Sequence, residues 1–576
     1  MIILGIHDGH NSGATLLRDG VIIASVSEER HSRIKNEVGY PSRSIEDVLE
    51  MAGCAAMAVD VIVYASNFMH AEEHLRTVGE WYRVGRDQQQ QDRLKTPEYQ
   101  KAVFDIRREA RIQNVINHLG VERDRISFVE HHLAHAAAAY FGSPFGLDEP
   151  TLILTCDGAG DGLSATVSLG KGTAIDRLAF TKRDASIGKL YSRVTYLLGM
   201  TPWEHEYKVM GMAPYADPKR CAQYHDVFRQ LVVLSDDGLS FKVAGDLESN
   251  YSYFFLREKL ERARFDDISG AIQSYVEELL CEWVRNCIAK TGVRRLVCGG
   301  GVFMNVKANM RISQLEEVKE MFVFPSCGDE SLSLGAAWME YYQRQKPTGG
   351  ERQRISKVGF PSLYLGKSYT DEQVLAAIEK HLPTEAFDFQ CYDQIEEEVA
   401  SRLASDQVVA RFAGRMEWGA RALGNRSILA NPNDWRNVEK INSMIKMRDF
   451  WMPFAPSLIS ERHLLYLKNP KSIASPFMMF AYETLPLAAK HLGAAIHPRD
   501  KTARAQFVDR LTNPQYYAVL EHFEAKTGIA GVLNTSFNLH GYPLVYSPEE
   551  AIYVFLHSGI DCLALEHFLL TKRVSV

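Results

Sequence analysis

Short apolar runs separated by glycine-bearing polar turns open the chain. Residues 2–26 pass through IILGI, HDGHNSG, ATLL, RDG and VIIASV, which predicts three strands joined as an antiparallel meander. Residues 151–181 repeat the pattern as TLILTC, DGAGDGL, SATVSL, GKG and AIDRLAF. In each copy an apolar strand runs into Asp-Gly (Asp8-Gly9, Asp157-Gly158), and the next strand opens on an Ala-Thr step (Ala14-Thr15, Ala165-Thr166). The echo reads either as two ordinary hairpins or as a duplicated fold whose glycine-rich loops face a cleft. In the second case backbone N–H groups can wrap phosphate oxygens, because glycine lets the main chain approach closely.

A third element favours the cleft. RRLVCGGGVFMNVKAN (294–309) reads as a strand, a turn of Gly299, Gly300 and Gly301, then a helix start, where partial positive charge attracts phosphate. Two meanders and a late glycine turn form the layout of actin-like, sugar-kinase-like ATP-binding folds. After residue 345 the segment 346–357 is polar, with Pro347 and two glycines, and predicts a linker. It divides a first domain, 1–345, from a second, 358–576. There strands such as QVVARFAG (407–414) and GIAGVLNTSF (528–537) alternate with helical stretches such as DEQVLAAIEKHL (371–382), so α/β is the expected class.

A chain of 576 residues is too long for one core, in keeping with two domains. Lys and Arg number 65 against 72 Asp and Glu, a net charge of −7 without a long basic block, which argues against a nucleic-acid partner and for a small-molecule enzyme. Nine scattered cysteines without a Cys-x-x-Cys pair argue against a disulfide framework or zinc ribbon. No signal-peptide pattern and no run of 18 apolar residues occur, so no membrane association is expected and the cytoplasm is the expected compartment.

Candidate chemistry lies in several short runs. VEHHLAHAAAAYFGS (129–143) sets His131 and His135 four apart, one helical turn, as a metal clamp needs. His132, three before His135, is an alternative partner. Asp157 and Asp329 each follow a strand, and two His with two Asp suit iron, manganese or zinc. His10 sits in the first glycine hairpin, where an imidazole can serve as general base. Lys35 is either a solvated charge or a group reaching over the cleft. Glu206, Lys208 and Gly211 in EYKVMGMAPYADP (206–218) read as nucleotide-sugar contacts or as a structural loop.

In the second domain GRMEWGARALGNRSILANP (414–432) sets Arg415, Arg421 and Arg426 among glycines. Lys446 and Arg448 precede an aromatic-Pro run, Arg504 follows later, and Asn534, Ser536 and Asn538 end a strand. Guanidinium groups on such turns suit bidentate phosphate recognition.

Taken in order, HHLAHA, DGAGD, EYKVMGMAPY, GGGVFMN, GRMEWGARALGNRSI, KMRDFWMPFAPS and NTSFN resemble the NodU/CmcH (TobZ-like) O-carbamoyltransferase family over nearly the whole chain. The resemblance implies a TsaD-like first domain of the actin-like (ASKHA) fold and a YrdC-like second domain. It implies that ATP and carbamoyl phosphate form carbamoyl adenylate in the second domain. The carbamoyl group then passes, in the first domain, to a hydroxyl of a small-molecule acceptor. By motif position His131, His135, Asp157 and Asp329 are the implied ligands of iron(II) or another divalent metal, with Mg2+ accompanying ATP. His10 matches the histidine tied to transfer, and Lys35 the lysine near the carbamoyl group. Glu206, Lys208, Gly211, Gly299, Gly300 and Asn305 fall in adenosine-contact motifs. Arg421, Lys446, Arg448, Arg504, Asn534, Ser536 and Asn538 match the adenylate-forming pocket. A homodimer is compatible with this family. The first hairpin departs from it, because Asn11 stands where many relatives have Asp.

Three other readings predict different features. Hydrogenase maturation proteins would bring Cys-x-x-Cys zinc motifs. A threonylcarbamoyl-type tRNA enzyme would bring a basic strip. A small-molecule kinase on the actin-like fold would leave the Arg-rich second domain unused.

Overall fold

The computed structural model describes residues 1–77, 97–345, 362–383 and 385–573. The expected linker at 346–357 lies outside them. The chain packs as two compact units, one of Met1–Glu28 with Asn36–Phe360, the other of Glu29–Lys35 with Pro361–Val576. Residues 29–35, read from the sequence as part of the first domain, therefore belong to the second unit.

The first unit is built on two five-stranded sheets of the same design. In one, β1 (Ile2–His7), β2 (Gly13–Arg18) and β3 (Val21–Ser27) form an antiparallel meander. Then β4 (Val61–Ala65) and β5 (Ile126–Val129) add on in parallel, giving the order β3-β2-β1-β4-β5. The other repeats this with β6 (Thr151–Gly160), β7 (Leu163–Lys171) and β8 (Ala174–Lys182). A small hairpin, β9 (Val232–Leu234) and β10 (Phe241–Val243), intervenes before β11 (Arg295–Gly299) and β12 (Glu320–Val323). The resulting order is β12-β11-β6-β7-β8, so the duplication read from the meanders extends to both parallel strands of each sheet. The near-continuous apolar character of β1 and β6 follows from their central places, covered on both faces.

A helix follows the last strand of each copy: His131–Phe141 after β5 and Leu332–Arg344 after β12. They pack almost backbone to backbone, since a Cβ on Gly335 would stand 1.9 Å from the Ala134 carbonyl oxygen. Gly5 of β1 meets the same second helix, where a Cβ would lie 2.0 Å from the Ser333 carbonyl oxygen. These close approaches fix the N-terminal ends of both helices against the sheets.

The second unit holds an eight-stranded mixed sheet in the order β13-β22-β21-β14-β15-β20-β16-β19. Its strands are β13 (Phe387–Cys391), β14 (Val409–Phe412), β15 (Arg426–Ala430), β16 (Ala455–Ile459), β19 (Gln506–Val508), β20 (Gly531–Ser536), β21 (Cys562–Leu565) and β22 (Phe568–Lys572). A separate two-stranded ribbon joins β17 (Tyr482–Glu483) to β18 (Thr502–Ala503). Helices Asp371–His381 and Pro548–Leu556 pack on the sheet through Val374, Ile378, Ile552 and Phe555, against Phe412, Leu533 and Leu563. A capping box, Thr370 with Gln373, starts the first of these helices.

Within this unit the segment Glu29–Lys35 is tied by Arg33, whose guanidinium donates to the Leu544 and Pro543 carbonyl oxygens at 2.7 and 3.0 Å and pairs with Glu550 at 3.0 Å. Arg30 donates to the Gly419 carbonyl oxygen at 2.9 Å. Among the described residues no helix is long and apolar enough to cross a membrane.

Candidate metal centre and flanking histidines

Four side chains converge in the first unit. His131, His135, Asp157 and Asp329 are all buried, and one ligand atom from each falls within 4.8 Å of the others. His131 Nε2 lies 3.3 Å from Asp157 Oδ2 and 3.8 Å from Asp329 Oδ1, and His135 Nε2 lies 3.6 Å from the same Asp329 oxygen. The histidines come from the first turns of the helix after β5, Asp329 from the turn before the helix after β12, and Asp157 from β6. The Gly335–Ala134 contact thus sets the spacing between the His135 and Asp329 carriers.

Each imidazole is oriented through its far nitrogen. Ser66 Oγ lies 3.0 Å from His131 Nδ1 and Ser331 Oγ 3.2 Å from His135 Nδ1, which turns both Nε2 atoms inward. His135 Nε2 and Asp329 Oδ1 are buried without a hydrogen-bond partner. Buried polar atoms without partners are costly, and a shared cation satisfies an imidazole nitrogen and a carboxylate oxygen at once. The donor set therefore fits a divalent metal of the iron, manganese or zinc type. Burial lowers the His131 pKa, but Asp329 and Asp157 outweigh it and lift it to about 9. Burial opposes ionisation of Asp329 too, and the surrounding histidines overcome it, holding the carboxyl well below its usual range.

His132, the alternative partner in the sequence, faces elsewhere: its Nδ1 lies 2.8 Å from Thr155 Oγ1. The expected glycine loop after β6 is also corrected. Strand β6 runs on through Gly160 and turns tightly at Asp161-Gly162, both with positive φ, so the Asp-Gly-Ala-Gly run is strand rather than a phosphate-wrapping loop. Its glycine serves the histidine instead, since a Cβ on Gly160 would stand 2.0 Å from His131 Cγ. Asp161 then accepts the backbone N–H of Asn67, Phe68 and His131 at 2.8, 2.9 and 2.9 Å, joining this turn to the helix start.

The duplication gives Asp157 a counterpart, Asp8, at the same strand end of the other sheet. Asp8 takes no part in the cluster. Arg111, 1% exposed, holds it in a two-pronged bond, both contacts 2.8 Å.

His10 lies beside the cluster, its Nδ1 3.3 Å from Asp329 Oδ2, its ring stacked on Trp203 at 4.6 Å between centroids and 13° between planes. His7, which sequence reasoning missed, is fully buried with Nε2 3.1 Å from the His10 carbonyl oxygen and 3.7 Å from Asp329 Oδ2. Burial lowers its pKa to about 4. The strand-end run His7-Asp8-Gly9-His10 carried that signal, two imidazoles three residues apart.

The adenosine-motif residues sit in local structure around this centre. Glu206 starts helix Glu206–Met212, which carries Lys208 and Gly211, and its Oε1 accepts from Ser192 Oγ at 2.7 Å and the Trp203 N–H at 2.8 Å. Burial raises its pKa. Gly299 ends β11, where a Cβ would stand 2.8 Å from the His135 carbonyl oxygen. Gly300, at φ +93°, has no room for one beside the Cys156 carbonyl oxygen, 2.3 Å away. The Gly301 N–H donates to Asp157 Oδ1 at 3.0 Å. Asn305 caps helix Val306–Gln314 and exchanges amide bonds with Gln273.

In the second unit the candidates gather at the end of β20. Lys446, buried, donates through Nζ to the Ser536 carbonyl and hydroxyl oxygens and to the Asn538 carbonyl and amide oxygens, at 2.5, 3.1, 3.1 and 2.8 Å. Burial, with Arg448 and Lys35 adding repulsion, depresses its pKa strongly. That puts Lys35 in the field of Lys446 in this unit. Arg448 donates to Thr535 Oγ1 at 3.2 Å. Asn534 donates to the carbonyl oxygen of Ala422, next to Arg421, at 3.1 Å, while its own Oδ1 is buried without a partner. Arg504 follows β18, two residues before Gln506, whose amide oxygen lies 3.3 Å from Asn534 Nδ2.

Arg415 and Arg426 are corrected from phosphate candidates to framework. Arg415 donates to the Gly366 and Leu365 carbonyl oxygens at 3.0 and 2.7 Å. Arg426, fully buried, covers the Phe412 ring at 3.5 Å and donates to the Ala413 carbonyl oxygen at 2.9 Å.

The Carbamoyltransferase N-terminus family model matches residues 2–338, and the Carbamoyltransferase C-terminus model residues 400–572. The chain belongs to the carbamoyltransferase family. Nodulation protein NolNO of Sinorhizobium fredii is 34% identical over 573 residues, covering 98% of this carbamoyltransferase and 79% of the relative. Nodulation protein NolO of Bradyrhizobium diazoefficiens is 34% identical over 450 residues, 77% of this chain and 79% of the relative. Among solved structures, full-length HypF in the phosphate- and nucleotide-bound form aligns over 60% of this chain and 56% of that one, at 13% identity and TM-score 0.35. Carbamoyl transfer is thus the chemistry against which the carbamoyltransferase's two residue groups are to be read.

Proposed function

We propose that the protein is an ATP-dependent O-carbamoyltransferase. Its second unit, a YrdC-like domain, turns carbamoyl phosphate, water and ATP into carbamoyl adenylate: hydrolysis frees carbamate and inorganic phosphate, and a carbamate oxygen then bonds to the α-phosphorus of ATP as pyrophosphate leaves. Its first unit, a TsaD-like domain of the actin-like fold, passes the carbamoyl group to a hydroxyl of a small-molecule natural product and releases AMP. The observation that carries this reading is the buried two-His, two-Asp cluster with His10 held on its Asp329 carboxylate.

Carbamoyl phosphate reacts sluggishly with alcohols, and an adenylate gives the carbamoyl carbon a bound leaving group. In the transfer step the acceptor oxygen bonds to that carbon, the carbon–oxygen bond to AMP breaks, and His10 takes the hydroxyl proton at Nε2. Asp329 steadies the imidazolium that results, through the Nδ1 contact of 3.3 Å. His131, His135, Asp157 and Asp329 would hold a divalent ion, which when bound supplies positive charge for the phosphate oxygens of the leaving AMP. In the second unit Arg421, Arg448 and Arg504 serve the phosphates of ATP and carbamoyl phosphate, and Lys446 with Asn534, Ser536 and Asn538 shapes the pocket floor.

Purified protein given ATP, carbamoyl phosphate and a divalent metal should release pyrophosphate. A panel of hydroxylated natural products should then yield one heavier by a single carbamoyl group in mass spectrometry. Release of ADP in place of pyrophosphate would contradict the reading.

A further inference from the structure

We infer that Trp203 is a positioning residue for His10, and that the loop carrying it was shaped for this purpose. The inference rests on the transfer reading above, which makes His10 the base.

The loop between helix Ile187–Leu197 and helix Glu206–Met212 ends in Thr201-Pro202-Trp203-Glu204-His205. Trp203 adopts φ +67°, a left-handed conformation uncommon for a bulky aromatic residue, and such strain persists only where the surroundings impose it. Four contacts do so. The Trp203 N–H donates to Glu206 Oε1 at 2.8 Å, and Ser192 Oγ anchors the same oxygen at 2.7 Å. The Thr201 N–H donates to His205 Nδ1 at 3.1 Å, while the His205 N–H returns to the Thr201 carbonyl oxygen at 2.9 Å. The loop is wound on its own polar groups, and the strained residue at its tip presents the indole.

That indole lies flat on His10, 4.6 Å between centroids and 13° from parallel. His10 is otherwise held at three places: its backbone bridges to Val38, its carbonyl oxygen meets His7 Nε2 at 3.1 Å, and its Nδ1 lies 3.3 Å from Asp329 Oδ2. A single contact at Nδ1 leaves an imidazole free to swing about its Cβ–Cγ bond. A flat neighbour on one face removes that freedom and fixes the direction of Nε2. Trp203 is also 38% exposed, so the indole borders the space an acceptor hydroxyl must enter to reach that nitrogen. A purely structural tryptophan would be expected inside the core, on an unstrained backbone.

The test uses the full-length chain as Trp203→Phe, Trp203→Ala and Trp203→Gly, with transfer measured from supplied carbamoyl adenylate and pyrophosphate release measured separately. Glycine relaxes the left-handed backbone while deleting the ring, so its thermal midpoint should match or exceed wild type. Misaimed catalytic groups cost roughly 100-fold. Trp203→Ala and Trp203→Gly should therefore lower the kcat of transfer by about 10- to 100-fold, with the KM for carbamoyl adenylate and the rate of pyrophosphate release unchanged. Trp203→Phe should restore most of the kcat.

Wild-type kcat in Trp203→Ala, an equal fall in pyrophosphate release, or an effect confined to KM for the donor would overturn the inference. Should wild type itself fail to transfer, the functional reading fails first. The positioning claim is then judged by NMR of histidines labelled at Cε1: the His10 signal, assigned with His10→Asn, should carry a ring-current shift that Trp203→Ala removes. A His10 signal that does not move contradicts it.

Discussion

His135 Nε2 and Asp329 Oδ1 face one another at 3.6 Å, both buried, neither with a hydrogen bond. That distance is beyond hydrogen-bonding range and suits two donors around one cation. The purified protein should therefore bind one Fe(II), Mn(II) or Zn(II) per chain. Asp329→Asn and His135→Ala should abolish stoichiometric binding in metal analysis after dialysis. Full retention by both variants would remove the metal assignment.

Gly160 gives a subtler test, because its missing side chain makes room for a ligand. A methyl group there would overlap the His131 ring, 2.0 Å from Cγ. Gly160→Ala should weaken metal binding by roughly 10- to 100-fold, in the range seen when a ligand's support is disturbed. Circular dichroism should remain that of a folded protein.

The two Asp-Gly steps of the duplicated sheets should behave oppositely on mutation. Asp157→Asn should lose metal and keep most of the stability. Asp8→Asn should keep the metal site's composition and destabilise the fold, because it leaves the buried Arg111 guanidinium without its carboxylate. Breaking such a pair costs about 3–5 kcal/mol, readable as a lower midpoint in denaturant titration.

In the second unit, Lys446 binds four oxygens of Ser536 and Asn538 from a buried position. Lys446→Met keeps most of its volume and removes the charge. It should lower pyrophosphate release by roughly 100-fold, comparable to losing one preorganised electrostatic contact, while transfer from supplied carbamoyl adenylate continues. Arg421→Ala should show the same division. A variant losing both half-reactions equally would contradict the separation of sites.

How much of this the sequence revealed depends on how local each signal is. The partnership of His131 and His135 with Asp157 and Asp329 was implied by motif order in the family resemblance, with His132 still open as an alternative, whereas the i,i+4 spacing of the two histidines is a short-range fact. The meanders were legible for the same reason, and the parallel strands β4, β5, β11 and β12 extend the duplication they suggested. Contacts between distant positions left no periodic trace. Arg111 lies 103 residues from Asp8, and no pattern near either marks their pairing. Trp203 on His10 and the membership of Glu29–Lys35 in the second unit were hidden in the same way. Arg415 and Arg426 misled because cations among Gly and Ala look open to phosphate. Both guanidinium groups meet backbone carbonyl oxygens instead, Arg426 from a fully buried position and Arg415 from an exposed one.

The division of labour is tested most directly by trapping the intermediate. His10→Ala protein, given ATP, carbamoyl phosphate and a divalent metal, is quenched and examined by mass spectrometry for carbamoyl adenylate. The account predicts that carbamoyl adenylate and pyrophosphate accumulate while an acceptor stays unmodified. Formation of ADP in place of carbamoyl adenylate and pyrophosphate, or carbamoylation of the acceptor at the wild-type rate, would contradict it.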